Sequence, residues 1–449
     1  MLRRFFQPDC RFVTTAAQLQ ATLDLMEEIA AAARPVDAVV SAWFRARPNL
    51  GDADRGQIFQ MLHALLRHQA RLAWWVARHG REDTPRNRLL AWLALGGGTP
   101  EQIGRLFNGA RLAPAVLTDN ERALLIKLQG STISSATMPE EVRLECPPWA
   151  LEPLRQRFGA DFAREMAALL TPPPLDLRVN PIKSTREAVL GALHGLGLAA
   201  EPSRLAPYGI RIKERLSLAN LPMLKSGEVE IQDEGSQLVA LLVDARPGER
   251  VVDFCAGAGG KTLAIAAQMA NKGHVIACDI SEGRLKRSAE RFRRAGVHNI
   301  ETRLLSSETD RWVKRHKAGF DRVLVDAPCS GTGTWRRNPD ARWRTPGDGL
   351  GLDNLRALQA KILASAARLV KPGGRLIYAT CSLLSDENED QVAAFLAAHP
   401  HFKVAPLRHV APQLASADAA AYLSLTPADD DTDGFFAAVL QREPALPAE

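Results

Sequence analysis

The chain has few of the features that would stitch it together covalently or hold it in a membrane. Its six cysteines, Cys10, Cys146, Cys255, Cys278, Cys329 and Cys381, are scattered through 449 residues with no Cys-x-x-Cys pair. Such spacing predicts neither a disulfide framework nor a structural zinc site, and His274, His298 and His401 show no ligand spacing, so no metal is expected. No apolar run approaches the ~20 residues needed to span a bilayer. The opening MLRRFFQPDC carries charge without an apolar run behind it, so a secretory signal is not expected. Internal repeats and long low-complexity tracts are also missing. These absences point to a cytoplasmic, membrane-free protein, and a monomer is the expectation.

What is present is a chain long enough for two or three domains and a large core. Its formal charge of +6 has the sign expected of a nucleic-acid partner, although a mildly basic soluble protein would carry the same excess. Leu19, Leu23, Met26 and Ile29 recur at helical spacing, as do Ile58, Leu62, Leu65, Leu66 and Leu72. Thr99-Pro100-Glu101 reads as an N-cap followed by a proline at the first helical position, and Thr118 to Glu121 as a capping box. Residues 1–145 therefore read as a helical bundle with its Trp and Leu stripes in the core.

Cys146-Pro147-Pro148-Trp149 and Pro172-Pro173-Pro174 break that pattern. Around them lie an amphipathic helix, Leu154 to Leu170, and the strand-like LDLRVN, Leu175 to Asn180, giving an α+β module over residues 146–225. From about Gly227 apolar strands alternate with helices, and residues 226–442 read as an α/β domain with a parallel sheet covered on both faces. Ligands bind beyond the carboxyl ends of such strands, which directs attention to the loops after Phe254, Asp279, Asp326 and Thr380.

The first of these loops lies within VVDFCAGAGGKT, Val251 to Thr262. A phosphate-binding P-loop would need glycine where Cys255 stands, and a dinucleotide fingerprint would need it where Thr262 stands. A small-residue loop after Asp253, with Asp279 ending the next strand about 20 residues on, suits a nucleoside whose ribose a carboxylate can grip and which brings no triphosphate. S-adenosylmethionine meets that description.

Two cysteines also sit at ligand-side strand ends. Asp326-Ala327-Pro328-Cys329-Ser330 follows RVLV, and Thr380-Cys381-Ser382 follows RLIYA. A lone cysteine is usually a small buried hydrophobe, but two facing one cleft are harder to assign to packing.

With these stretches in view, the chain resembles the RsmB/Nop/Sun family of RNA (cytosine-5) methyltransferases. The resemblance is carried by LDLRVN, EIQDEGSQLV, DFCAGAGGKT, DAPCSGTG with RRNPD, YATCSLLSDENE and TDGFFAA, from about Pro172 to Leu440. It implies a Rossmann-like S-adenosylmethionine-dependent domain, preceded by the small α+β module and an N-terminal all-α bundle that is NusB-like and binds RNA in the bacterial members. By resemblance, Cys381 is the nucleophile toward cytosine C6, Cys329 assists release of the adduct, and Asp326 holds the N3/N4 edge of the base. Lys261 is expected beside Asp326, near a thiol. The cofactor loop carried over comprises Cys255, Ala256, Gly257, Ala258, Gly259, Gly260 and Lys261, with Asp279 on the ribose and Arg284 and Asp326 nearby. The family usually places an aspartate after the third strand. Here ETRLLSSETD offers Ser306, Ser307 or Glu308, and Ser307 aligns when counted back from Phe320.

Arg336, Arg337, Arg342 and Arg344, interleaved with Trp335 and Trp343, read as phosphate and base contacts for RNA. Ribosomal small-subunit RNA is the substrate expected from the resemblance, with transfer RNA as the alternative. A nucleotide-hydrolysing or NAD enzyme, and a non-catalytic RNA-binding scaffold, are the readings of a different kind.

Overall fold

The structure is a computed structural model that describes residues 15–32, 34–213, 221–347, 349–411 and 421–444. MLRRFFQPDC, with Cys10, lies outside the described residues. The chain divides into two compact units. One is Met1–Glu152 with Asn338–Trp343, and the other is Pro153–Arg337 with Arg344–Glu449.

The first unit is helical. Thr15, Thr99 and Thr118 each close a capping box on the helices Ala16–Ala31, Pro100–Leu106 and Asp119–Leu128, satisfying backbone donors that the first turn leaves open. Leu19, Ile58, Leu62 and Leu72 are fully buried in the shared core, each worth about 2 kcal/mol in transfer from water. Glu145, also buried, accepts the backbone N–H groups of Ala70 and Arg71 at 2.9 Å each, and burial pushes its carboxyl up to about 7.

The second unit begins with a departure from expectation. The single helix read over Leu154 to Leu170 is two, Pro148–Phe158 and Phe162–Ala168, joined by a tight turn at Gly159–Asp161. Gly159 takes φ 51°, a left-handed conformation open to glycine, and this ends the first helix. A four-stranded antiparallel sheet follows, made of β1 (Leu175–Val179), β2 (Ala200–Pro202), β3 (Gly209–Ile212) and β4 (Val229–Ile231) in the order β2-β3-β1-β4.

The larger sheet contains β5 (Arg250–Asp253), β6 (His274–Asp279), β7 (Ile300–Leu304), β8 (Phe320–Asp326), β9 (Val370–Thr380), β10 (Phe402–Val404), β11 (Leu423–Leu425) and β12 (Phe435–Arg442). Its order is β10-β12-β9-β8-β5-β6-β7, with β11 paired to β12. The run β9-β8-β5-β6-β7 is parallel, as the βα alternation predicts. The strands β10, β11 and β12 add an antiparallel extension that the sequence pattern did not announce. Apolar side chains on both faces explain the unbroken hydrophobic runs. Ile377 and Ala379 enter one core layer, while Leu376 and Tyr378 enter the other. The chain runs outward from β5 to β7 and then returns through β8 and β9 on the opposite side of β5. The strand order therefore reverses between β5 and β8, which is where an open α/β sheet binds its ligand.

Candidate active site

Both cysteine loops leave neighbouring parallel strands at the same edge. Asp326 of β8 lies in register with Ala379 of β9, and Ala327 N–H donates to Ala379 O at 2.8 Å. The chain leaving β8 reaches Cys329 three residues later, whereas Cys381 directly follows β9. Their sulfurs stand 3.3 Å apart. Both cysteines are partly accessible. The Cys381 contact and burial together hold the Cys329 thiol well above the ordinary cysteine value. The Gly333 N–H donates to Cys381 O at 3.0 Å, a further tie between the loops.

Across the reversal point, Lys261 opens the helix Gly260–Gln268 after β5 and places Nζ 2.8 Å from Asp326 Oδ2. Burial alone would lower the Lys261 ammonium. Asp326, with help from the Cys381 and Asp253 charges, more than offsets this and holds it above its usual value. Nζ also lies 5.3 Å from the centre of the Phe435 ring. Lys261, Asp326, Cys329 and Cys381 thus form one cluster in which a cation, a carboxylate and two sulfurs share a low-dielectric cleft.

The glycine loop adjoins this cluster. Asp279, at the end of β6, accepts Gly257 N–H through Oδ2 at 2.8 Å and Ser281 N–H through Oδ1 at 2.7 Å. Each oxygen keeps a second acceptor position, which suits a ribose diol. Ala256 N–H donates to Cys278 O at 2.8 Å, so Cys255 and Ala256 are pinned to the strand layer. Burial raises the Cys255 thiol well above its ordinary value, which leaves it a neutral wall. Gly257 has φ 55° and open space where a Cβ would stand, while Ala258 is exposed. Gly259 has φ 79° and packs so tightly that a Cβ would meet the Phe292 ring at 2.6 Å. Asp253 is buried, with Oδ2 bonded to the Thr262 hydroxyl at 2.7 Å and Oδ1 without a partner among the described residues. An open-faced small-residue loop, a lysine already paired with Asp326 and a ribose-ready carboxylate fit S-adenosylmethionine.

The two remaining expected cofactor residues follow β6 and β7. Arg284 sits in the first turn of the helix Glu282–Ala295 with its side chain exposed. The Ser307 hydroxyl lies 3.1 Å from that of Thr309 and accepts Thr309 N–H at 3.2 Å, so it closes a local turn beside the edge strand β7. Nearby Asp310 takes Ser306 and Trp312 N–H, which hold its carboxyl down at about 2 and commit it to capping the next helix.

The arginine-tryptophan run requires correction as an RNA surface. Trp335, Arg336 and Arg342 are buried. Arg336 bonds to Asp433 at 3.1 Å and Asp431 at 3.2 Å, and Arg337 bonds to Asp433 at 2.7 Å and Asp233 at 3.1 Å. Within the helical unit, Arg342 donates to Glu145 O at 2.9 Å. These side chains hold the protein together, because their acidic and carbonyl partners lie far away in sequence. Exposed basic side chains are found instead on the helix after β6, at Arg284, Arg287 and Arg293. Sequence reasoning also assigned nothing to Glu387, which lies inside YATCSLLSDENE and proves to be buried between the two cysteine loops.

Among the described residues, no helix is long and apolar enough to cross a membrane. Comparison with known proteins gives a consistent result. A family model described as 16S rRNA methyltransferase RsmB/F matches residues 240–441, and one for the ferredoxin-like domain of RsmF/B-like methyltransferases matches residues 146–219. The chain is 35% identical over 349 residues to the ribosomal RNA small subunit methyltransferase B of Sodalis glossinidius, covering 76% of this chain and 73% of that protein. It is 31% identical over 402 residues to the Yersinia pseudotuberculosis protein of the same name, covering 86% and 90%. The solved structure of PH0851 superposes with a TM-score of 0.80 at 26% identity, covering 96% of this chain and all of that one.

Proposed function

The chain belongs to the RsmB/F methyltransferase family, and from that premise we propose that it methylates carbon 5 of a cytosine in small-subunit ribosomal RNA through a transient Cys381 adduct. The observation that carries this reading is the pair of sulfurs 3.3 Å apart beside the Lys261–Asp326 ion pair. Cytosine C5 is a weak nucleophile. Addition of the Cys381 sulfur to C6 breaks the C5–C6 double bond and leaves electron density at C5, so one hard step becomes two easier ones. S-adenosylmethionine, when bound, supplies an electrophilic methyl group on a sulfonium.

Asp326, held by Lys261, hydrogen-bonds the N3/N4 edge of the base and so stabilises the addition product, in which N3 takes up a proton as the C6–sulfur bond forms. Asp279 and residues 255–260 hold the cofactor. Once C5 carries the methyl group, a base takes its proton, the C5–C6 double bond re-forms and the C6–sulfur electron pair returns to Cys381; Cys329 assists that release. The target base must leave its stack to reach this cleft, which favours RNA that is single-stranded at the site. The helical first unit contributes to RNA selection on this reading.

The test is transfer of labelled methyl groups to small-subunit RNA, with the modified position mapped by bisulfite sequencing. Cys381→Ala abolishes transfer while S-adenosylmethionine still binds. Turnover at the wild-type rate in that variant would remove Cys381 from its role.

A further inference from the structure

We propose that Glu387 is a positioning residue that sets the spacing of the two sulfurs; this rests on the catalytic reading of Cys381 and Cys329 given above. Glu387 is fully buried, in the short turn Ser385–Glu387 after β9. Its carboxylate oxygens accept four hydrogen bonds, all from neutral groups. Oε1 takes Ser330 N–H at 2.8 Å and the Gln359 amide at 2.9 Å, while Oε2 takes the hydroxyls of Ser330 and Ser382. Ser330 directly follows Cys329, and Ser382 directly follows Cys381. The Gln359 amide donates also to Pro328 O at 2.9 Å, on the other side of Cys329. One carboxylate therefore grips the backbone after Cys329 and the side chain next to Cys381 directly, and reaches the backbone before Cys329 through Gln359.

A buried carboxylate held only by neutral donors among the described residues is costly, which calls for a reason beyond filling space. The direction of the donors supplies one. Leu384 N–H donates to the Ser382 hydroxyl at 3.0 Å, which leaves that hydroxyl's own proton for Glu387. The Ser382 side chain is thus fixed from both ends, and the Cys381 loop with it. Glu387 also presents negative charge to Cys329, which adds to the Cys381 contact and burial in keeping that thiol protonated.

The experiment compares full-length Glu387→Gln and Glu387→Ala with the wild type. Glutamine keeps the size but turns one acceptor into a donor, so it cannot serve all four hydrogen bonds. The spacing is read directly, without RNA or cofactor, as the rate at which a short bifunctional thiol reagent bridges the sulfurs; loss of the bridge in Cys381→Ala assigns the signal. Cofactor affinity, melting temperature, and kcat and KM for RNA complete the set. In Glu387→Gln the bridging rate is expected to fall ~tenfold and kcat about 10–100-fold, with cofactor affinity and KM little changed. Wild-type bridging and kcat in Glu387→Gln would overturn the proposal. So would losses confined to Glu387→Ala that track cofactor affinity and melting temperature, since these mark a purely structural role. If the wild-type protein methylates no RNA while the bridging rates still separate, the catalytic reading fails and the spacing role stands.

Discussion

Two glycines two residues apart in the cofactor loop separate folding from ligand binding. Gly257 and Gly259 both have positive φ, at 55° and 79°, so alanine costs either site about 1–2 kcal/mol of backbone strain. They differ in what a methyl group would meet. At Gly259 the new carbon would lie 2.6 Å from Phe292 Cε1, 2.8 Å from Cζ and 2.9 Å from Ser288 Cβ. Overpacking of that kind adds about 1–3 kcal/mol, so Gly259→Ala is expected to lose about 2–5 kcal/mol of stability in all. At Gly257 nothing lies within 4 Å of the new carbon, and the methyl would project into open space from the residue whose own N–H binds Asp279. Gly257→Ala should therefore stay within about 2 kcal/mol of wild type yet bind S-adenosylmethionine at least ~tenfold more weakly, a loss of ~1.4 kcal/mol. Denaturant unfolding and calorimetric titration with S-adenosylmethionine measure the two quantities separately. Unchanged affinity in Gly257→Ala would show that the loop does not face the cofactor, and equal stability of the two variants would refute the tight packing of Gly259 on Phe292.

Three further outcomes are expected. Cys329→Ala should accumulate a protein–RNA complex that survives denaturation and appears as a shifted band on a gel; without the band, Cys329 has no part in release. Arg336→Met leaves buried Asp433 short of a partner and should cost about 3–5 kcal/mol in denaturant unfolding, while a selective loss of RNA affinity without loss of stability would restore Arg336 as a phosphate contact. Burial pushes the Asp253 carboxyl up to about 7, so the folded chain keeps a proton that the unfolded chain releases near pH ~3.9. That contribution to stability is full below the unfolded value and is lost as pH rises through about 7. Asp253→Asn should flatten the stability slope over that window by up to ~1.4 kcal/mol per pH unit, and equal slopes in the two proteins would rule the titration out.

The clustering of the candidate site residues was legible because each stands a few positions after an apolar strand. VVDF, HVIACD, RVLVD and LIYAT read as buried strands because both of their faces enter core layers. The residues just past each strand must then face the ligand edge. The antiparallel strand β12 was not legible as a strand, since TDGFFAA stood out only as a motif and its partner β9 lies more than fifty residues earlier. Arg336 and Arg342 misled for the same reason. A basic run looks solvated until Asp433 and the Glu145 carbonyl arrive from distant parts of the chain to bury it. Ser307, read as the departure from the family pattern, uses its hydroxyl in a local turn that no spacing rule anticipates.

On the proposed function, the strand order lets one edge of the sheet hold both substrates in line. Reading across from β9 to β7, the edge presents Cys381, then Asp326 and Cys329, then residues 255–261, then Asp279, then Ser307. Neighbouring strands lie ~4.8 Å apart, so the sulfur end and the ribose carboxylate are three spacings, or ~15 Å, from each other. That length accommodates a nucleobase at one end and a nucleoside donor at the other, with the methyl group to be transferred near the middle. The middle is the gap between β8 and β5, where the strand order reverses and Lys261 meets Asp326. The ion pair therefore does more than orient a carboxylate: it joins the end of β8, with the proposed base-holding group, to the loop after β5 proposed to hold the cofactor. Breaking it with Lys261→Met should impair methyl transfer while binding of the isolated cofactor survives, because residues 255–260 and Asp279 lie on the far side of that junction.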